Sequence, residues 1–148
     1  MLKETPFYAE SGGQVGDRGF IKSNESIFEV YDTQKKGDQY LHIGMVKSGS
    51  FKNDDSVEAE IDQDHRNRIK SNHSATHLLH AALRQTLGDH VEQKGSLVEE
   101  SRLRFDFAHH SAIDSAELNA IEDIINEEVA KDNVSITEVL PIGEAIEK

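Results

Sequence analysis

Apolar and polar residues alternate over short runs in the first 62 positions. Gly19–Lys22, Ser26–Tyr31, Tyr40–Val46 and Ser56–Ile61 each carry the two-residue period of a half-buried strand, with β-branched and aromatic side chains prominent. Turn-forming clusters separate them: Ser23-Asn24, Lys36-Gly37-Asp38, Ser48-Gly49-Ser50 and Asn53-Asp54-Asp55. Strands this short and closely spaced predict a small β-barrel over residues 1–62. Ahead of the first strand, Ser11-Gly12-Gly13-Gln14-Val15-Gly16-Asp17-Arg18-Gly19 is a glycine-dense loop. It has neither the Gly-Lys-Ser/Thr ending of a P-loop nor a Gly-x-Gly-x-x-Gly pattern.

After residue 62 the period changes. Helix signal covers Asp64–Ile69 and then Asn72–Leu87, with Asn72 placed to cap the second helix and Gly88 to end it in a left-handed conformation. Projected at helical period, Ala75, Leu78, Leu79 and Ala82 form one stripe, and His73, His77, His80 and Arg84 fall on the opposite side. Strands are expected at Gly95–Val98 and Leu103–Phe107. Asp114-Ser115-Ala116-Glu117 is a capping-box pattern that opens a helix with Leu118, Ile121, Ile125 and Val129 on one face. Val134–Leu140 reads as a strand, and Pro141 starts a short terminal helix. The expected fold class is α+β: a barrel over residues 1–62, then an α+β domain over 63–148 whose histidine-bearing helix packs on a sheet.

The 148 residues suit one large domain or two small ones, and 36% hydrophobic content fits a modest core. No apolar run approaches the roughly 20 residues of a membrane helix. No signal peptide is visible, and the absence of cysteine excludes disulfides and is compatible with a cytoplasmic protein. The net charge of −12 argues against broad nucleic-acid binding. Its distribution changes that picture. Residues 1–62 carry 7 basic and 12 acidic side chains, residues 63–110 carry 7 and 6, and residues 111–148 carry 2 and 10. Only the middle stretch does not repel a polyanion, and Arg66, Arg68, Lys70, Arg84, Lys94, Arg102 and Arg104 are its candidate phosphate contacts. An ordinary mixed surface would have the same composition.

His73 and His77 stand four residues apart, so on a helix both imidazoles lie one turn apart on one face, where they can grip one metal ion. A solvated histidine-rich face has the same spacing. Zinc needs more: four protein ligands in a structural site, or three and a water in a catalytic one. Ser74 stands where a metalloprotease helix has its glutamate, which excludes that chemistry. His65, His90, His109 and His110 do not repeat the helical pairing.

Four segments together resemble the alanyl-tRNA synthetase family, in the part that follows its aminoacylation core. They are Thr5-Pro6-Phe7-Tyr8-Ala9-Glu10-Ser11-Gly12-Gly13-Gln14-Val15-Gly16-Asp17, then Asn72-His73-Ser74-Ala75-Thr76-His77-Leu78-Leu79-His80-Ala81-Ala82-Leu83, then Gln93-Lys94-Gly95-Ser96-Leu97-Val98, then Arg104-Phe105-Asp106-Phe107. They occur in the family's order and span nearly the whole chain. The resemblance implies a translation-factor-like barrel followed by an editing domain that deacylates tRNA for alanine mischarged with serine or glycine. The parent enzyme of such a domain ligates alanine to its tRNA, and ATP and magnesium belong to an aminoacylation domain that this sequence lacks. The resemblance also implies that His73 and His77 are two of four zinc ligands, the others coming from a downstream Cys-x-x-x-His motif. The sequence reaches Lys148 without that motif, so a fragment with an incomplete zinc site, inactive by itself, is expected. By position, Thr76 and Gln93 match residues of substrate placement and editing, Ser96 is a further candidate on the same strand, and the glycine-rich loop would wall the pocket.

The chemistry is consistent with that role. Glycine differs from alanine by one methyl, worth only about 1–3 kcal/mol in an apolar pocket, and serine by one hydroxyl that a small pocket rejects poorly, so a second, hydrolytic site is needed. No paired carboxylates, Ser/His/Asp arrangement or reactive cysteine points to covalent catalysis. Two other readings stay open at this level: a non-catalytic module that docks the tRNA acceptor end through its basic middle stretch, and a free-standing aminoacyl-tRNA hydrolase.

Overall fold

The computed structural model describes residues 2–134, 138 and 140–147. The elements run β1 Gly19–Ser23, β2 Ser26–Lys36, β3 Gln39–Ser48, β4 Glu58–Ile61, α1 Gln63–Leu87, β5 Gln93–Val98, β6 Leu103–Phe107, α2 Ser115–Ala130 and α3 Ile142–Glu147. The architecture is α+β, as expected. The expected strand Val134–Leu140 lies largely outside the described residues. No helix among them is long and apolar enough to cross a membrane.

The first four strands form one antiparallel sheet in the order β3-β2-β1-β4. The sheet is open: among the described residues no ladder joins β3 to β4, so the closed barrel expected from the strand pattern is not formed. β2 and β3 instead run on together as a long hairpin past the end of β1, bent by register shifts after Ile27 and Val30. The buried side of the sheet gathers Phe7, Ile21 and Val30, flanked by Leu2, Phe28, Phe51, Val57, Ala59 and Ile61.

Helix α1 corrects a second expectation. It is one unbroken helix of 25 residues, where the sequence suggests a break at Lys70-Ser71. No glycine or proline interrupts that stretch, so nothing stops propagation once the helix is nucleated. The cap is Asp62, whose carboxylate accepts from His65 N–H at 2.9 Å. Asn72 is therefore a mid-helix residue, and its amide donates to the Glu99 carbonyl at 2.7 Å. Gly88 ends the helix with φ 112° and ψ 167°, a positive φ but not the left-handed helical conformation expected.

A second apolar cluster is built from α1, α2 and the β5–β6 hairpin. Ala82, Leu83, Val91 and Ile121 are its buried centre, with Leu79, Leu87, Phe105, Phe107, Ile113, Ile124 and Ile125 around them. The capping box at Asp114 and Glu117 forms as predicted. The apolar face of α2 is rotated from the expected one: Ile121, Ile124 and Ile125 turn inward, whereas Leu118 and Val129 are exposed. His80 also departs from expectation, because α1 is covered on two flanks, by α2 and by the hairpin. It is half-buried, with its ring 5.2 Å from that of Phe105.

The segment preceding β1 ties the four-stranded sheet to α1. Asp17 is 1% exposed, yet its carboxylate is fully engaged. Oδ1 accepts from Arg66 Nε at 2.8 Å, and Oδ2 accepts from Arg66 Nη2 and from Tyr8 N–H. Arg66 Nη2 also reaches the Pro6 carbonyl at 3.0 Å. A buried carboxylate that loses its cation costs about 3–5 kcal/mol. Arg66→Ala is therefore expected to destabilise the fold by about that amount in urea denaturation, while Arg104→Ala, at an exposed pair, leaves the midpoint close to wild type.

Candidate functional site

The glycine-rich loop lies against the end of β5. Val98 N–H donates to the Gly13 carbonyl at 2.8 Å, and Val15 N–H donates to the Val98 carbonyl at 3.1 Å. This close approach requires Gly13, which has φ 83° and where a Cβ would stand 2.3 Å from Ser96 Oγ. Ser96 Oγ in turn lies 3.4 Å from the Gly12 carbonyl. The loop thereby delivers Gln14, 8% exposed, to the side of α1. Gln14 Oε1 accepts from His73 Nδ1 at 2.8 Å.

That hydrogen bond fixes the His73 tautomer. With the proton on Nδ1, the Nε2 lone pair is left available. His77 is exposed one turn further on, its ring centroid 5.1 Å from that of His73. The pair thus offers two imidazoles to one ion, the first held by a buried amide that orients its ring through the nitrogen not offered to the metal. Among the described residues no third histidine or carboxylate converges on this pair. The donors present fit half of a tetrahedral zinc set.

The other expected site residues fall in different surroundings. Thr76 is buried between the two histidines along the helix, and its hydroxyl donates to the Asn72 carbonyl at 2.9 Å, which leaves it acceptor capacity only. Ser96 lies beside the glycine-rich loop. Gln93 is exposed at the start of β5, about 16 Å along the strand from Val98 at the usual rise per residue. No hydrogen bond joins Gln93 to the histidine pair.

Most of the predicted phosphate contacts are engaged within the chain. Arg66 holds Asp17; Arg68 holds Glu100; Arg84 holds Asp89; Lys94 holds Glu92; Arg104 holds Asp106. Lys70 is exposed on α1. Sequence reasoning missed Glu100, the hub of this region. Its Oε2 accepts from His65 Nδ1, Arg68 Nη2 and Arg18 Nη2, each at 2.9 Å. The hydrogen bonds from His65 and then Arg68 hold its carboxyl at about 2, well below the ordinary 4.5. Asp62 is also held low, first by the His65 backbone N–H it caps. Nothing in the local sequence marks Glu100, because its three partners lie 32 or more residues away.

Over residues 1–65 the chain matches the family model described as "tRNA synthetases class II (A)". Its class is that of the class II aminoacyl-tRNA synthetases. Over 148 residues it is 53% identical to the alanine–tRNA ligase of Pseudomonas syringae pathovar syringae, 53% to that of Pseudomonas savastanoi pathovar phaseolicola and 52% to that of Pseudomonas syringae pathovar tomato. The chain belongs to the alanyl-tRNA synthetase family. Each alignment covers all of this chain, which spans 17% of the length of these curated relatives.

Two measurements check this geometry. A carboxylate with a depressed folded-state pKa stabilises the fold fully above its unfolded value and loses that contribution as pH falls through the folded one. The difference in Tm between wild type and Glu100→Gln is thus expected to be full above pH 4.5 and to shrink as pH falls toward about 2. Gly13→Ala is expected to cost about 1–3 kcal/mol through overpacking against Ser96, with the His73 ring resonances shifted in NMR spectra as Gln14 is displaced.

Proposed function

We propose that this chain is the part of an alanyl-tRNA synthetase that carries half of a hydrolytic editing centre, which removes serine or glycine wrongly esterified to tRNA for alanine. The observation that carries the reading is the His73–His77 pair, one ring oriented by the buried Gln14 amide. Identity of 53% to part of the alanine–tRNA ligases, along the whole of this chain, supports the parent activity: ATP-dependent joining of alanine to its tRNA, in the cytoplasm, with ATP and magnesium bound elsewhere in the longer enzyme. The division into a sheet unit, 1–62, and an editing unit, 63–148, is supported by the two separate apolar clusters and by the family-model match, which stops at residue 65.

In this reading His73 and His77 hold a zinc ion, completed by ligands from further along the enzyme. When bound, the ion supplies charge stabilisation and polarises an oxygen atom at the ester to be cut. Gln14 keeps His73 in the tautomer that leaves the Nε2 lone pair available. Ser96 borders the glycine-rich loop, Thr76 lies between the two histidines on α1, and Gln93 presents an exposed amide for orienting the substrate by hydrogen bonds. Lys70 is the basic residue best placed to meet the phosphate backbone, since it is not engaged by a carboxylate among the described residues. Arg66, Arg68, Arg84, Lys94 and Arg104 contribute there only by exchanging their present partners.

The test is deacylation of seryl-tRNA for alanine by a full-length ligase carrying this sequence. His73→Ala and Gln93→Ala are expected to lose deacylation while alanylation persists. Gln14→Ala is expected to lower it about 10–100-fold, as loss of a residue orienting a metal ligand does. Wild-type deacylation in both His73→Ala and Gln93→Ala overturns the assignment. Acceptor-end binding that survives loss of both histidines, in an enzyme without deacylation, indicates the docking module instead.

A further inference from the structure

Away from the His73–His77 pair, three other histidines converge where the loop after α1 meets the end of β6. His90 Nε2 lies 2.8 Å from His109 Nδ1. The ring centroids are 5.0 Å apart for His90–His109, 4.8 Å for His90–His110 and 4.7 Å for His109–His110. One ring nitrogen from each falls within 4.8 Å of the other two, and no other such group of three exists among the described residues. The backbone beneath them is fixed. Val91 is fully buried and donates to the Gly88 carbonyl at 3.2 Å, and Ala108 N–H donates to the Glu92 carbonyl at 3.2 Å. Gly88 leaves space for the first ring, since a Cβ there would stand 3.1 Å from His90 Nδ1.

We propose that His90, His109 and His110 form a second metal site, distinct from the editing pair and independent of that reading, for a divalent cation of the zinc class. The donor set selects the ion. Three imidazoles with no carboxylate among them suit zinc, nickel or copper and disfavour magnesium and calcium, which take oxygen ligands. The neighbouring acids are engaged elsewhere, Asp89 by Arg84 and Glu92 by Lys94. Tetrahedral zinc with bonds of about 2.0–2.1 Å sets ligand nitrogens roughly 3.4 Å apart. The His90–His109 pair must open by only about 0.6 Å, replacing a shared proton by the ion. Ser111 suits His109 to this: its Oγ lies 3.1 Å from Nε2, and in the tautomer whose Nε2–H donates to that oxygen Nδ1 is left as the ligand atom. Exposure of His90 and His110 leaves the fourth position to water.

The probe is the metal alone, added to this chain. Co2+ titration followed by its visible absorption, and Zn2+ titration by calorimetry, are made first on a His73→Ala/His77→Ala double variant. One equivalent is expected to bind there, with the absorption of a tetrahedral nitrogen-rich site. His109→Ala and His110→Ala added to that background are expected to abolish binding with unchanged circular dichroism. Ser111→Ala is expected to weaken it about 10–100-fold. Failure of the double variant to bind either ion, or retention of binding in both His109→Ala and His110→Ala, overturns the proposal. Should one of these two variants misfold, the exposed His110→Asn replaces it and is held to the same outcome.

Discussion

A buried carboxylate cannot stay charged in a protein interior unless its surroundings neutralise it. Asp17 meets that condition through Arg66 and the Tyr8 backbone, and Thr33 Oγ1 donates to the Asp17 backbone carbonyl at 2.9 Å. Much else depends on this pairing. It holds the segment before β1 against the first turns of α1. Three residues away, the same segment presents Gln14 to His73. Removal of the pair would release the loop together with the sheet that follows it.

The same economy of charge runs along the first half of α1. Asp62 caps the helix, Glu100 gathers His65, Arg68 and Arg18, and Arg18 returns to Asp62 at 3.3 Å. These contacts bind β1, α1 and the β5–β6 turn into one electrostatic junction. A composition-level view treats the basic residues of 63–110 as a surface for polyanions. In the folded chain most of them neutralise acids, and their first effect is on stability. Phosphate recognition by this surface therefore competes with internal pairs, except at Lys70.

Histidine serves three physical roles within the chain. His65 is buried and donates to Glu100. His73 and His77 stand side by side on a helix face, one oriented and one exposed. His90, His109 and His110 meet from two segments that are 19 residues apart in sequence. Only the second arrangement has a spacing visible in one dimension, because a helix converts a separation of four residues into adjacency. The third depends on the hairpin bringing the end of β6 back to the loop after α1, and no local pattern encodes it.

The sequence by itself determined the strands β1 to β6, the capping box of α2, the glycine-dense loop and the histidine spacing, because all are written in local periodicity and local hydrogen-bonding chemistry. On three points its local pattern pointed the wrong way: to a closed barrel, to a helix broken at Lys70-Ser71, and to an uncovered His80 flank of that helix. Those depend on packing: β2 and β3 run past β1, no breaker interrupts α1, and the hairpin covers the side that carries His80. The partners of His73, Asp17 and Glu100 likewise come from residues dozens of positions away. Such contacts exist only after the chain has folded back on itself, when burial makes an unpaired charge too costly to tolerate.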